Sequence, residues 1–186
     1  MSFFNLSGSR RQLRNRLQQQ RASLYRVAMA WCGDAMLADD LAQESLTRAL
    51  AKLHQLQDEA RLEHWLFRIL NNCWREHLRR SRPAVELDEL DDLVLVAGQS
   101  PESHMNRQQV IERVRLAVSR LPLGQRQVVT LVDLQSFSYK DVAEILEVPA
   151  GTVMSRLCRA RKALKSDLLS FQMELGQHKN HLRSVK

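Results

Sequence analysis

Residues 84–106 hold six carboxylates (Glu86, Asp88, Glu89, Asp91, Asp92, Glu102) and no Lys or Arg, between a leading block of net +6 and a trailing block of net +7. Two basic blocks around an acidic connector favour two units over one continuous fold. Pro83 opens the connector, and Gly98-Gln99-Ser100-Pro101 nearly closes it, as breaker residues do. The expected organisation is a basic N-terminal extension over 1–20, a first domain over 21–83, an acidic flexible linker over 84–106, a second domain over 107–168 and a tail over 169–186. A chain of 186 residues accommodates two small domains and is short of a typical barrel enzyme of about 250.

Both blocks read as helical, so the expected fold class is all-α, two small helical domains. Leu24, Val27, Ala28 and Trp31 stand at i, i+3, i+4 and i+7, an amphipathic stripe ended by Gly33-Asp34. A second helix starts near Met36 and carries Leu46, Ala49, Leu50 and Leu53. A third, from about Arg61 to Arg80, sets Leu62, Leu66, Ile69, Leu70, Cys73 and Trp74 on its apolar side. In the second block Val110 to Leu121 predicts a helix stopped by Pro122, and Gly124 to Leu134 another. A further helix starts at Ser138, where Ser138 and Asp141 make a capping pair. After the break at Val148-Pro149 the last helix runs from Ala150 to Leu168 on a stripe of Val153, Leu157, Ala160 and Leu164. No stretch alternates in the manner of a strand.

Several function classes fall away. Apolar runs such as Leu93 to Ala97 are far below the roughly 20 residues of a membrane span, so no membrane insertion is expected. No secretory signal is visible, and Cys32, Cys73 and Cys158 are odd in number and far apart, which suits reduced thiols in the cytoplasm. There is no nucleophile–base constellation, no glycine-rich phosphate loop and no metal spacing. An enzyme, a cofactor and a metal are therefore not expected.

A helix of about ten residues, a short turn and a second helix is a helix-turn-helix. Opposite the Val153/Leu157 stripe lie Thr152, Ser155, Arg156 and Arg159. Residues near the start of such a helix reach base edges in the major groove, and Arg pairs bidentately with guanine. Arg161, Lys162 and Lys165 suit phosphates or other acidic groups. From spacing alone, a solvated basic face on an ordinary bundle reads equally well. Of the 28 basic residues 22 are Arg, which favours planar recognition of phosphate or guanine.

The wording narrows the choice. Leu121-Pro122-x-x-x-Arg126-x-Val128-Val129-x-Leu131, then Phe137-Ser138-Tyr139-x-Asp141-Val142-Ala143-x-Ile145-Leu146, then Gly151-Thr152-Val153-x-Ser155-Arg156-Leu157-x-Arg159-Ala160-Arg161-x-x-Leu164 resembles region 4 of bacterial RNA polymerase sigma factors. Leu24-Tyr25, Ala38-Asp39-Asp40-Leu41-x-Gln43-Glu44, Trp65-Leu66-Phe67-Arg68-Ile69-x-x-Asn72 and Leu78-Arg79-Arg80 resemble region 2. The two together, in this order, are similar to the small extracytoplasmic-function (ECF) group of the sigma-70 family. Glu76 stands where that family usually has Asp, Pro149 where Ser is usual, and Met154 in place of a common Lys.

The resemblance implies a promoter-specificity factor. Its partners would be core RNA polymerase (the β′ clamp helices and β flap), promoter DNA and an anti-sigma factor. Asp40, Gln43, Glu44 and Thr47 form a polar strip at i, i+3, i+4 and i+7 with Asp39 and Arg48 alongside, and by resemblance it docks on the clamp helices. Arg68, Asn72, Arg75 and Arg79 recur along the third helix, flanked by Asn71 and Arg80, and would hold the melted −10 strand. The loop from His54 to Arg61 would receive a flipped base. Thr152, Met154, Ser155, Arg156 and Arg159 would read the −35 duplex. The acidic connector would thread toward the RNA path, where its carboxylates imitate phosphates; an ordinary solvated linker reads equally well. Trp65 and Trp74 read as core. A stand-alone helix-turn-helix regulator and a helical protein-interaction module are the alternatives; only the first would bind its DNA site without polymerase.

Overall fold

The computed structural model describes the backbone over residues 4–81 and 107–183, and side-chain surroundings over 11–81 and 110–169. Every regular element among the described residues is helical. The linker residues, including Leu93 to Val96, lie outside them.

In the first half α1 spans Phe4–Gln19, α2 Arg21–Cys32, α3 Ala35–Ala51 and α4 Leu62–Ser81. α2 buries Leu24, Val27, Ala28 and Trp31, the stripe expected from their spacing. Gly33 ends it at φ 71°, a left-handed geometry that a residue without Cβ takes at little cost, and its N–H bonds to the Met29 carbonyl. Asp34 then caps α3, accepting the Leu37 N–H at 2.9 Å. Two adjacent residues thus stop one helix and start the next. Short 3₁₀ turns at Leu53–Gln55 and Glu59–Arg61 lead into α4, whose core side carries Leu62, Leu66, Phe67, Leu70, Cys73, Trp74 and Leu78.

The N-terminal residues differ from the expected extension. α1 packs on α3, and Leu13 and Leu17 are buried. Burying each contributes roughly 1.5–3 kcal/mol before entropy is charged. Two leucines one turn apart among Arg and Gln make too weak a period to read, yet they suffice to close the bundle.

In the second half α5 spans Arg107–Ser119, α6 Leu123–Val129, α7 Tyr139–Leu146 and α8 Ala150–Arg183. Helix α6 does not run unchanged to Leu134. It widens into a π turn over Thr130–Leu134, where the Thr130 hydroxyl bonds back to the Arg126 and Gln127 carbonyls. Ser138 caps α7 as expected, accepting the Asp141 N–H at 3.1 Å. With Pro149 before α8 there is no side-chain cap of the Ser type; the Pro149 carbonyl accepts the Thr152 and Val153 N–H groups at 2.9 and 3.2 Å. α8 continues past Leu168, the expected end, to Arg183.

The two halves are in contact. α2 packs on α5, α6 and the π turn, and α4 packs on α7. One buried cluster runs from Leu13 through Trp31 and Phe67 to Val128, Ile145 and Ala160. Phe67 and Phe137 meet edge to face with centroids 5.3 Å apart. The Trp31 indole N–H donates to the Thr130 hydroxyl at 2.8 Å, and the Ser23 hydroxyl donates to Gln135 at 2.6 Å. Arg126 is fully buried, and burial pushes its guanidinium pKa down to about 10. It donates to the carbonyls of Trp31, Ser119 and Leu121. These oxygens lie at or just past the C-terminal ends of α2 and α5, where helix carbonyls lack partners and a cation is favoured.

Candidate nucleic-acid and polymerase interfaces

The first turns of α8 present the expected reading face. Met154, Ser155 and Arg159 are exposed, Thr152 and Arg156 half-buried, while Val153, Leu157 and Ala160 fill the core behind them. Gly151 has open space where a Cβ would stand, so no close approach requires a glycine there. Arg161 pairs with an acidic group of its own chain, Asp133, at 2.6 Å, which raises its pKa further. Lys162 and Lys165 are exposed.

On α3 the expected polar strip forms one cross-linked surface. Arg21 pairs with Asp39 at 2.6 Å, Gln43 donates to the other Asp39 oxygen at 2.7 Å, and the Thr47 hydroxyl donates to the Gln43 carbonyl at 2.9 Å. Asp40, Gln43, Glu44 and Thr47 are exposed.

On α4, Arg68, Asn72, Arg79 and Arg80 are exposed and Arg75 is half-buried. Asn71 departs from the expected stripe. It is 2% exposed, donates to the Ile145 carbonyl at 3.0 Å and accepts from Gln127 at 3.3 Å. Helical rotation places Asn71 one residue off the Arg68/Asn72 line, and α7 covers that side. A cavity of about 280 Å³ lies beside the stripe, lined by Arg48, Lys52, Ile69, Asn72, Arg75, Glu76 and Arg79. Arg48 spans its wall. It pairs with Glu44 at 2.6 Å and grips Glu76 with both terminal nitrogens, at 2.9 and 2.7 Å. Those bonds hold the Glu76 carboxyl below the ordinary carboxylate range. The extra methylene of Glu76 therefore causes no break in α4; it meets an arginine fork from α3.

A family model described as sigma-70 region 2 matches residues 16–83, and one described as sigma-70, region 4 matches residues 111–164. The ECF RNA polymerase sigma factor EcfG of Rhodopseudomonas palustris is 38% identical over 145 residues, 77% of this chain and 78% of that protein. The chain belongs to the ECF group of sigma-70 factors. Another relative is the RNA polymerase sigma-H factor of Pseudomonas aeruginosa, 33% identical over 73% of this chain and 75% of that one. Among solved structures, the sigma factor RpoE of Bartonella quintana, determined with the anti-sigma factor NepR, matches with TM-score 0.66 and 28% identity over 83% of this chain and 94% of that one. CnrH, determined with the cytosolic domain of CnrY, shares the fold at TM-score 0.61 and 23% identity, over 88% and 92% of the two chains.

In this sigma factor the arginine row of α4 faces its own region 4. Arg75 pairs with Glu147 at 2.7 Å, and Arg68 approaches the same carboxylate at 3.4 Å. Arg61, just before α4, pairs with Glu144 at 2.6 Å. The carboxyls of Glu144 and Glu147 are held below their ordinary range by these arginines. His64 lies 3.3 Å from Glu144, and burial, reinforced by Arg61, depresses its pKa. Glu147 has φ 58°, a left-handed conformation that costs a residue with a Cβ about 1–2 kcal/mol. Sequence reading did not pick out Lys52, Glu144 or Glu147. Lys52 sits one turn after Arg48 and was visible as a basic i, i+4 pair; the two glutamates gave no local signal. No group of His, Cys, Asp or Glu among the described residues is arranged to hold a metal ion, and none of the helices there is long and apolar enough to cross a membrane.

Proposed function

We propose that this sigma factor directs core RNA polymerase to specific promoters, acting in the cytoplasm as an initiation factor and not as an enzyme. Asp39, Asp40, Gln43, Glu44 and Thr47 dock on the polymerase clamp helices, with region 4 on the β flap. Thr152, Met154, Ser155, Arg156 and Arg159 read the −35 duplex. Arg68, Asn72, Arg75, Arg79 and Arg80 hold the melted −10 strand, with Arg48 and Lys52 lining the adjoining cavity. The observation that carries the reading is the order of the two family regions along one chain, each with its own exposed polar surface. The solved complex of a related sigma factor with the anti-sigma factor NepR supports an anti-sigma partner here too.

The deciding experiment is run-off transcription with purified core polymerase on a promoter library. Initiation from a defined set of sites is the expected result. A protein that binds its DNA site alone and never starts transcription with core would be a stand-alone regulator instead.

A further inference from the structure

The cavity of about 280 Å³ lies between the end of α3 and the middle of α4. Four cations, Arg48, Lys52, Arg75 and Arg79, line it against a single carboxylate, Glu76. They are not equally committed. Arg48 is held by Glu44 at 2.6 Å and by both oxygens of Glu76, and Arg75 by Glu147 at 2.7 Å. Lys52 and Arg79 are exposed and make no side-chain hydrogen bond or ion pair among the described residues. Arg79 only helps, at longer range, to hold the Glu76 carboxyl down.

Arg and Lys side chains donate hydrogen bonds and accept none. The one carboxylate is already turned to Arg48, so the cavity offers donors and two unmatched positive charges. Such a lining selects an anion rich in acceptor oxygens. The Arg48 fork is fixed before anything binds, and the Lys52 N–H is bonded to the Arg48 carbonyl at 3.0 Å. Binding then has to order only the Lys52 and Arg79 side chains, which keeps its entropic cost small.

Size and charge narrow the anion. At about 30 Å³ per water the cavity holds roughly nine waters, and drug-sized ligands need about 300–1,000 Å³. A diphosphate group fits; the sugar and base of a nucleotide would lie along the solvent side. Each phosphodiester of a strand carries one negative charge. A terminal phosphate carries about 1.5–2, which better matches two unmatched cations across one small space. The loop from His54 to Arg61, expected to receive a flipped base, contributes nothing to the lining, so the cavity is a separate place from that pocket. RNA synthesis consumes nucleoside triphosphates and releases diphosphate, so anions of this class are present wherever an initiation factor works.

We propose that this cavity binds an oligophosphate, either inorganic diphosphate or the phosphate tail of a nucleoside di- or triphosphate. The bound anion takes Asn72 and Arg79 away from the −10 strand and lowers promoter opening. That consequence rests on the sigma-factor reading of α4; the binding itself does not.

Titration calorimetry on the full chain, in metal-free buffer at constant ionic strength, uses sodium diphosphate, ATP, adenosine and sodium sulfate as probes. Diphosphate and ATP are expected to bind at least tenfold more tightly than sulfate, and adenosine not at all. ATP equal to diphosphate assigns recognition to the phosphates alone; tighter ATP adds the nucleoside. Lys52→Gln and Arg79→Gln should each weaken diphosphate binding at least fivefold, and Arg14→Gln, at an exposed position of α1, should not. Diphosphate bound no better than sulfate, or weakened equally by all three variants, overturns the site. The consequence is read by permanganate footprinting of holoenzyme, without nucleotides, on a promoter selected by run-off transcription. Diphosphate added before the DNA, at matched free magnesium, should lower opening at least threefold with the parent and not with Lys52→Gln. Equal sensitivity of the two overturns the competition. If no promoter supports run-off, the sigma reading fails, a separate outcome, and calorimetry alone decides the site.

Discussion

Arg126 of α6 donates to the carbonyl oxygen of Trp31 on α2 at 2.9 Å, with no solvent around either side chain and no carboxylate bonded to the guanidinium. The same guanidinium holds the Ser119 and Leu121 carbonyls, so one side chain satisfies the end of a helix in each half. Arg126→Met keeps much of the volume but leaves three buried oxygens unpaired, at about 1–3 kcal/mol each. The expected loss is about 3–5 kcal/mol in urea unfolding, the lower part of that sum, because removing the guanidinium also removes the cost of burying its charge. Arg126→Lys, with one ammonium for three oxygens, should recover only part of it.

Acid should open the molecule before it unfolds it. Across the α4–α7 contact face Arg61, His64, Arg68 and Arg75 on one side and Asp141, Glu144 and Glu147 on the other. Glu144 and Glu147 have carboxyls depressed by their arginines, so the closed state binds fewer protons than the open one. Their contribution to closure is complete above the ordinary carboxylate range and is lost as pH falls below it, through the lowered values of the closed state. His64, depressed chiefly by burial, acts in the same direction at higher pH. Small-angle scattering should record a growing radius of gyration as pH falls while far-UV circular dichroism still reports intact helices. Glu144→Gln with Glu147→Gln should start from the larger radius at neutral pH.

Arg48 and Glu76 tie the proposed polymerase strip to the proposed −10 helix. Both are about one-third exposed, so the pair contributes only about 1 kcal/mol to stability. Glu76→Ala should lower the unfolding midpoint by that little. Its larger effect should be on open-complex formation, because Arg48 and Arg75 then lose the wall that spaces them around the cavity. Permanganate footprinting on a fixed promoter reads that step, with core affinity measured separately. A matching fall in both would mean a general loss of region 2 and not a local one.

Arg156 and Lys162 should behave differently. Arg156→Ala should cost about 1–3 kcal/mol at one upstream base pair and little elsewhere, if it reads a base edge. Lys162→Ala should weaken all promoters alike and reduce the salt dependence by about one ion. A panel of single-base promoter variants at two salt concentrations separates the two behaviours.

Local order was legible where the cause is local. The α2 stripe, the Gly33-Asp34 boundary, the Ser138 cap and the start of α8 each depend on neighbours within a turn or two, and periodicity or cap chemistry reports them. The exposed face of α8 and the α3 strip followed from the same helical geometry, with the family wording adding their roles. Asn71 shows where that stops. One residue from Asn72 on the same helix, it is covered because α7 happens to lie there, and nothing in the wording of α4 announces α7.

By itself, then, the sequence determined an all-helical chain in two basic halves with its polar faces in register, because helix period and capping act over a few residues. Only the tertiary structure decided that Leu13 and Leu17 close the first bundle, that Arg126 is an interior tie and that Glu147 sits on Arg75. Those contacts join residues tens of positions apart, as far as 95 for Arg126 and Trp31. Each exists because burial and charge pairing are settled by which surfaces meet, a matter that no short stretch of chain encodes.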